Sequence, residues 1–381
     1  MSKPFLCDIA ECSNINANKA NQPIFSIERR GIKSGCINIG SSHVDVTPSD
    51  KRQLWKDNKP ILLINYLSNS ISDYQENIRF SEALYRAILA GTEIDELLDQ
   101  PAYLSRFGEK FELLSTRFDE SDRQELISVD FDVMENGELA MEDIWMRISW
   151  LSFLEDDESL RFRFSFGMEG FDDVSLDIDR QLAAAELCDR VFPESGIVCD
   201  NEMLRQLLMT VAGIKNLRYL ERIVYYNANK GGAQFHHDAE KGHLGVVYAQ
   251  LTGQTLWFAL SKKQLMSEIQ LFLAEEENKK ELQSVVKTKS GYEQLLKAAC
   301  DLKLLENLLD DPANEEISEL LNETVGFFNQ LMNKGYAYVL KPGDIILLPQ
   351  QSMKNCTWHS VFCLGEKAGQ ALSFAIKDVD C

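Results

Sequence analysis

A chain of 381 residues, 45% of them hydrophobic, can bury either one large domain with an accessory region or two ordinary domains. Thirty-nine basic against sixty acidic residues leave a formal charge of −21, which repels phosphate and disfavours direct contact with nucleic acid or an anionic membrane, while suiting a small-molecule substrate or a basic polypeptide. The nine cysteines have no regular spacing, the opening is polar after Leu6, and no run approaches the ~18 apolar residues of a membrane span, so a reducing, cytoplasmic setting without a disulfide framework is expected.

In chain order, the first forty or so residues are rich in Asn, Ser and Gly and read as irregular. Residues 68–125 read as mainly helical; "SEALYRAILAG" has apolar residues at helical spacing and a terminal glycine. Near residue 126 the period changes to two. In "LRFRFSFGM", Leu160, Phe162, Phe164 and Phe166 share one face, with Arg161, Arg163 and Ser165 on the other. With "WMRISWLSF" before it and "EDDES" between, this predicts a hairpin. Residues 180–213 return to helical spacing, and the strand candidates "RIVYYN", "GVVYAQL", "TLWFAL", "YAYVL", "DIILLP" and "ALSFAI" follow. A charged stretch, about 262–334, separates the third from the fourth. Its stripe of Leu295, Leu296, Ala299, Leu302, Leu305 and Leu309 predicts several inserted helices. Ordinary packing is the plainer reading of that stripe; a lid or partner surface is the other. The expected class is α+β, with a mainly helical region over 1–125 and a sandwich or barrel over 126–381 that carries the insertion.

Three of the five histidines fall in "AQFHHDAEKGH", residues 233–243. In an extended segment His236 and Asp238 share a face and His237 points the other way. One imidazole and one carboxylate on one face supply two of the three ligands of a facial metal triad, a weak signal alone. His359 adds to it. It lies in "KPGDIILLPQQSMKNCTWHSV", where Pro342, Gly343 and Asp344 mark a turn and "IILLP" a strand. Four histidines therefore sit in two strand-rich segments able to wall one barrel; only His43 lies elsewhere. His237 and His243 read as solvated or supporting residues, and Cys356 as an inert buried thiol rather than a zinc ligand.

Residues from about 222 to 377 resemble the double-stranded β-helix of the cupin-like and Jumonji C iron(II), 2-oxoglutarate-dependent oxygenases. The resemblance rests on "HHD" at 236–238, "QLTGQTLWFAL" from Gln250, and "KPGDIILLP" followed by "WHSV" from Lys341, in that order. It covers about two-fifths of the chain and says nothing of the first 200 residues. It implies a cupin or jelly-roll core, His236, Asp238 and His359 as ligands of Fe(II), and 2-oxoglutarate as cosubstrate in a hydroxylation or demethylation. The chain departs from the family pattern at the cosubstrate's distal carboxylate. Thr255 stands where relatives often have a lysine, and Gln370 roughly where others have an arginine. Tyr226, Arg222, Lys262 and Lys367, with Thr255 as a hydrogen-bond donor, are the candidate replacements. Two other readings stay open: a cupin-type metalloenzyme that does not use 2-oxoglutarate, and a non-catalytic barrel serving as an interaction module. The substrate is open between a polypeptide side chain and a small molecule. The N-terminal region could flank the barrel, form a homodimer contact or close over the site.

Overall fold

The computed structural model describes residues 5–7, 24–29, 32–38, 48–119, 126–150, 158–167, 177–239 and 243–379. Its first strands are β1 (Phe5–Cys7), β2 (Ile24–Arg29) and β3 (Ile32–Asn38), paired antiparallel in the order β1-β3-β2. Part of the stretch read as irregular is thus a small sheet. Its strands lie in an Asn-, Ser- and Gly-rich setting whose composition masks the pairing in the sequence. The remainder of that stretch, including His43, lies outside the described residues. Next come β4 (Ile61–Leu63), β5 (Phe111–Asp119), β6 (Leu126–Glu135), β7 (Glu138–Trp150) and β8 (Leu160–Phe166). Helices Gln75–Leu89, Ile178–Val191 and Glu202–Ala212 match the expected helical spans.

The strand-rich part contains β9 (Leu217–Asn227), β10 (Gly232–His236), β11 (Gly245–Gln250) and β12 (Gln254–Ser261). After the insertion follow β13 (Ala337–Leu340), β14 (Ile345–Pro349), β15 (Thr357–Leu364) and β16 (Gly369–Asp378). Among the described residues these strands form two further antiparallel sheets. One has nine strands in the order β4-β14-β11-β16-β9-β8-β7-β6-β5, the other four in the order β10-β15-β12-β13. The larger sheet takes β4 and β5 from the first 125 residues, so it crosses the division drawn there. The result is a mixed helix and sheet fold with a jelly-roll-like core.

Period-two burial assigns each face. Val246, Tyr248, Ile346, Leu348 and Ala371 of the nine-stranded sheet meet Trp257, Ala259, Leu340 and Val361 of the four-stranded sheet in a shared apolar layer. The opposite face of the large sheet, including Phe162, Phe164, Val224, Tyr226, Leu372 and Phe374, packs on the N-terminal helices and on Ile178–Val191. The outer face of the small sheet, with Phe235, Leu256, Phe258 and Phe362, is covered by the insertion. That insertion spans helices from Lys262–Ala274 to Val325–Lys334. Ser261 ends β12 and also caps the first of them, accepting from the Gln264 backbone N–H while Gln264 reaches back to the Ser261 N–H. Leu295, Leu305 and Leu309 of the predicted stripe are buried, whereas Leu302 is exposed. The stripe is packing.

Candidate metal centre

β10 and β15 run antiparallel, with His236 directly opposite His359. The ladder breaks between Ala233 and His236, where the register shifts. At the other end of β10, Gly232 has φ +126°, and a Cβ there would lie 2.2 Å from the Val361 carbonyl oxygen. Only glycine allows the two strands to approach this closely. The imidazole centroids of His236 and His359 are 4.2 Å apart. Asp238, two residues past His236, lies between the rings: Oδ1 is 3.4 Å from His236 Nε2 and Oδ2 is 3.5 Å from His359 Nε2. The three donor atoms all lie within 4.8 Å of one another.

This donor set fits a divalent metal. With bonds of ~2.1 Å, ligands at right angles on an octahedral ion are ~3.0 Å apart, and the observed spacings close on that value with small side-chain movements. His236 Nδ1 lies 2.7 Å from the Gln234 carbonyl oxygen and donates to it, which leaves Nε2 as the ring nitrogen turned toward Asp238. Trp257 stacks on His359 at 5.2 Å and 21°, which holds the ring plane. Burial alone would raise the Asp238 carboxyl, but the His359 and His236 imidazoles outweigh it and hold the group well below the carboxylate range. Burial, followed by the charge of His236, pushes His359 down to about 3. For His236, burial opposes protonation, yet the bond to Asp238 prevails and the value rises. The centre thus keeps one ionised carboxylate and one neutral imidazole, the forms that ligate metals.

The centre opens into a cavity of about 450 Å³ between the two large sheets, a volume suited to a small molecule or one side chain. Ile223, Tyr225 and Asn227 of β9 line it, with Tyr248, Ser373 and Val361. Glu221 has φ +44° and is the extra residue of a bulge in β9 opposite Phe374 and Ala375. The bulge turns its carboxylate into the cavity, 3.2 Å from Nε2 of the buried His243. His243 is therefore a cavity residue. His237 faces away and packs against Trp358 at 5.2 Å. The Cys356 thiol is buried, pushed up to about 12 by that burial, and donates toward the Met353 carbonyl.

None of the candidate anchors for a distal carboxylate lines this cavity. Thr255 is buried among its neighbours, donating to Gln250 Oε1 at 2.8 Å and accepting from Trp257 Nε1 at 2.9 Å. Tyr226 stacks on Tyr85 at 4.3 Å, on the helix-covered face of the large sheet. Arg222 is on that same face, ion-paired with Asp189. Gln370 also points there and donates to Glu194. Lys262 is 2.6 Å from Asp310 beside the insertion, and Lys367 is exposed in the turn before β16. Period two explains the displacement: along β9 and β16, alternate residues belong to opposite faces. The sequence reading missed Tyr225, Asn227, Tyr248 and Glu221. Alternation along "RIVYYN" held the signal for Tyr225 and Asn227, once the inner face was known.

No protein-family model matches the chain, and no curated protein matches it in sequence. Among solved structures, the chain is similar to an oxidoreductase of the 2OG-Fe(II) oxygenase family from Burkholderia pseudomallei, at 9% identity and TM-score 0.33, covering 89% of this chain and 93% of that one. It is also similar to YcfD, a ribosomal oxygenase from Escherichia coli, at 11% identity and TM-score 0.23, covering 75% of this chain and 43% of that one. Among the described residues, no helix is long and apolar enough to cross a membrane.

Proposed function

We propose that the protein is an Fe(II)- and 2-oxoglutarate-dependent oxygenase with a double-stranded β-helix core, acting in the cytoplasm on a polypeptide side chain or a small molecule. The observation that carries this reading is the convergence of His236, Asp238 and His359 beside a cavity. Two imidazoles and one carboxylate leave three positions of an octahedral ion for ligands from that cavity. A bound Fe(II) with 2-oxoglutarate and dioxygen supplies oxidation of a C–H bond, with succinate and carbon dioxide as coproducts. The chain contributes placement. Gln234 and Trp257 fix the two imidazole planes, Asp238 stays ionised, and the apolar layer around Trp257 and Val361 excludes water from one side.

The purified chain with Fe(II), ascorbate and 2-oxoglutarate is expected to produce succinate, and His236→Ala to lose metal and turnover together. A chain that binds iron but neither binds nor consumes 2-oxoglutarate defeats the cosubstrate assignment. That outcome would favour a metalloenzyme working without 2-oxoglutarate, a reading supported by the engagement of Thr255 with Gln250 and Trp257 and of Gln370 with Glu194.

A further inference from the structure

A second cavity, of about 670 Å³, shares no lining residue with the one at the metal centre. Three distant parts of the chain build it: residues 57–59, the two ends of the insertion at 261–264 and Tyr336, and the loop at 354–356 that leads into β15. Hydrogen bonds join these parts. Thr357 Oγ1 donates to the Asn58 carbonyl at 2.9 Å, and the Lys262 N–H to the Cys356 carbonyl at 3.0 Å. Four lysines line the space, Lys59, Lys262, Lys263 and Lys354, against one acid, Asp57, although acids outnumber bases sixty to thirty-nine in the chain. Two of the four are accounted for. Lys59 is 3.4 Å from Asp57, and the buried Lys262 is 2.6 Å from Asp310 and 3.6 Å from Glu306. Lys263 and Lys354 are exposed and have no acidic partner among the described residues. Lys263 also stands at the second position of the helix Lys262–Ala274, whose first turn holds no acid. A cation there opposes the helix dipole, which favours negative charge at that end. Helix stability therefore does not account for Lys263. An anion in the cavity compensates both lysines and meets the dipole with the sign it favours.

We propose that this cavity binds the phosphate group of a small molecule, with Lys263 and Lys354 as its cationic contacts. Lysine meets phosphate as a point charge with three donors, and Ser267 and Asn355 add uncharged donors on the same walls. The volume lies in the range of small-molecule sites, and Tyr336 offers a half-buried ring to the rest of the ligand. A long polyanion would meet the net charge of −21 beyond the site. A small one is screened from most of it, because the Debye length at physiological salt is about 8 Å. The inference is independent of the oxygenase reading.

The test is calorimetric titration of the full chain, freed of metal, with phenyl phosphate, inorganic phosphate and phenol at constant ionic strength. Phenyl phosphate is expected to bind and phenol not. Lys263→Gln combined with Lys354→Gln should weaken phenyl phosphate roughly tenfold or more. Both side chains are exposed, so the variant is expected to fold, which circular dichroism checks. Arg161→Gln combined with Arg163→Gln, in the metal cavity, should leave the affinity unchanged. No binding of phenyl phosphate at millimolar concentration by the unmodified chain overturns the proposal, as does equal binding of phenol; neither comparison needs a variant. An unchanged affinity in the folded lysine variant, or a loss in the arginine variant, overturns it too. Inorganic phosphate binding as tightly as phenyl phosphate assigns the site to the free ion; tighter phenyl phosphate assigns it to a phosphate ester.

Discussion

Glu194 shows how a single buried group responds to its surroundings. It is 0% exposed, accepts from Gln370, and its Oε2 has no hydrogen-bond partner among the described residues. Burial raises its carboxyl from 4.5 to about 7. Between those values the folded chain holds a proton that the unfolded chain has released. Stability therefore falls as pH rises through that window and levels off above it. Ionisation costs on the order of 3 kcal/mol. Glu194→Gln removes that cost and is expected to raise the urea midpoint at pH 8 while barely changing it at pH 4; an equal shift at both values would refute the assignment. The residues at the metal centre were more legible. His236 and Asp238 share a face through simple alternation, and the family resemblance supplied the roles expected of them. Glu194 carried no comparable signal, because its burial depends on helices and strands far apart in sequence.

At the scale of elements, the insertion supports the strands that carry the donors. Phe328, from the last of its helices, is buried and has its ring 6.3 Å from Phe235, 5.0 Å from Phe258 and 5.4 Å from Phe362. Phe235 immediately precedes His236, and Phe362 lies on the strand of His359. Phe328→Ala should cost roughly 3–5 kcal/mol in urea unfolding and weaken metal binding as well. Metal affinity retained in the face of that loss would show that the centre does not depend on the insertion. The helical period of the stripe was readable in the sequence, but its partner was not. An apolar stripe states that something is covered, and only packing identifies the sheet beneath it.

Across the whole molecule, Arg29 connects three separate parts. It belongs to β2, donates to the Ala233 and Val361 carbonyls and the Ser360 hydroxyl, and reaches Asn322 Oδ1 of the insertion at 3.0 Å. Its guanidinium also lies 4.3 Å from the Phe362 ring centroid. Arg29→Ala should cost about 1–3 kcal/mol, because it leaves buried acceptors unpaired. Amide exchange should quicken in β10 and β15 more than in β11 and β14; uniform acceleration would argue against a local clamp.

The sequence by itself determined most of the strand and helix periods and the inserted helices, which are set by alternation and spacing along a few residues, and it named the candidate donors through the family resemblance. Only the tertiary structure decided which face of each strand became the cavity, and hence that Arg222, Tyr226 and Gln370 point away while Arg161, Arg163 and Tyr225 point in. A period of two divides residues into two sets but does not name the inner one. That choice depends on which sheet packs against which, over contacts hundreds of residues apart.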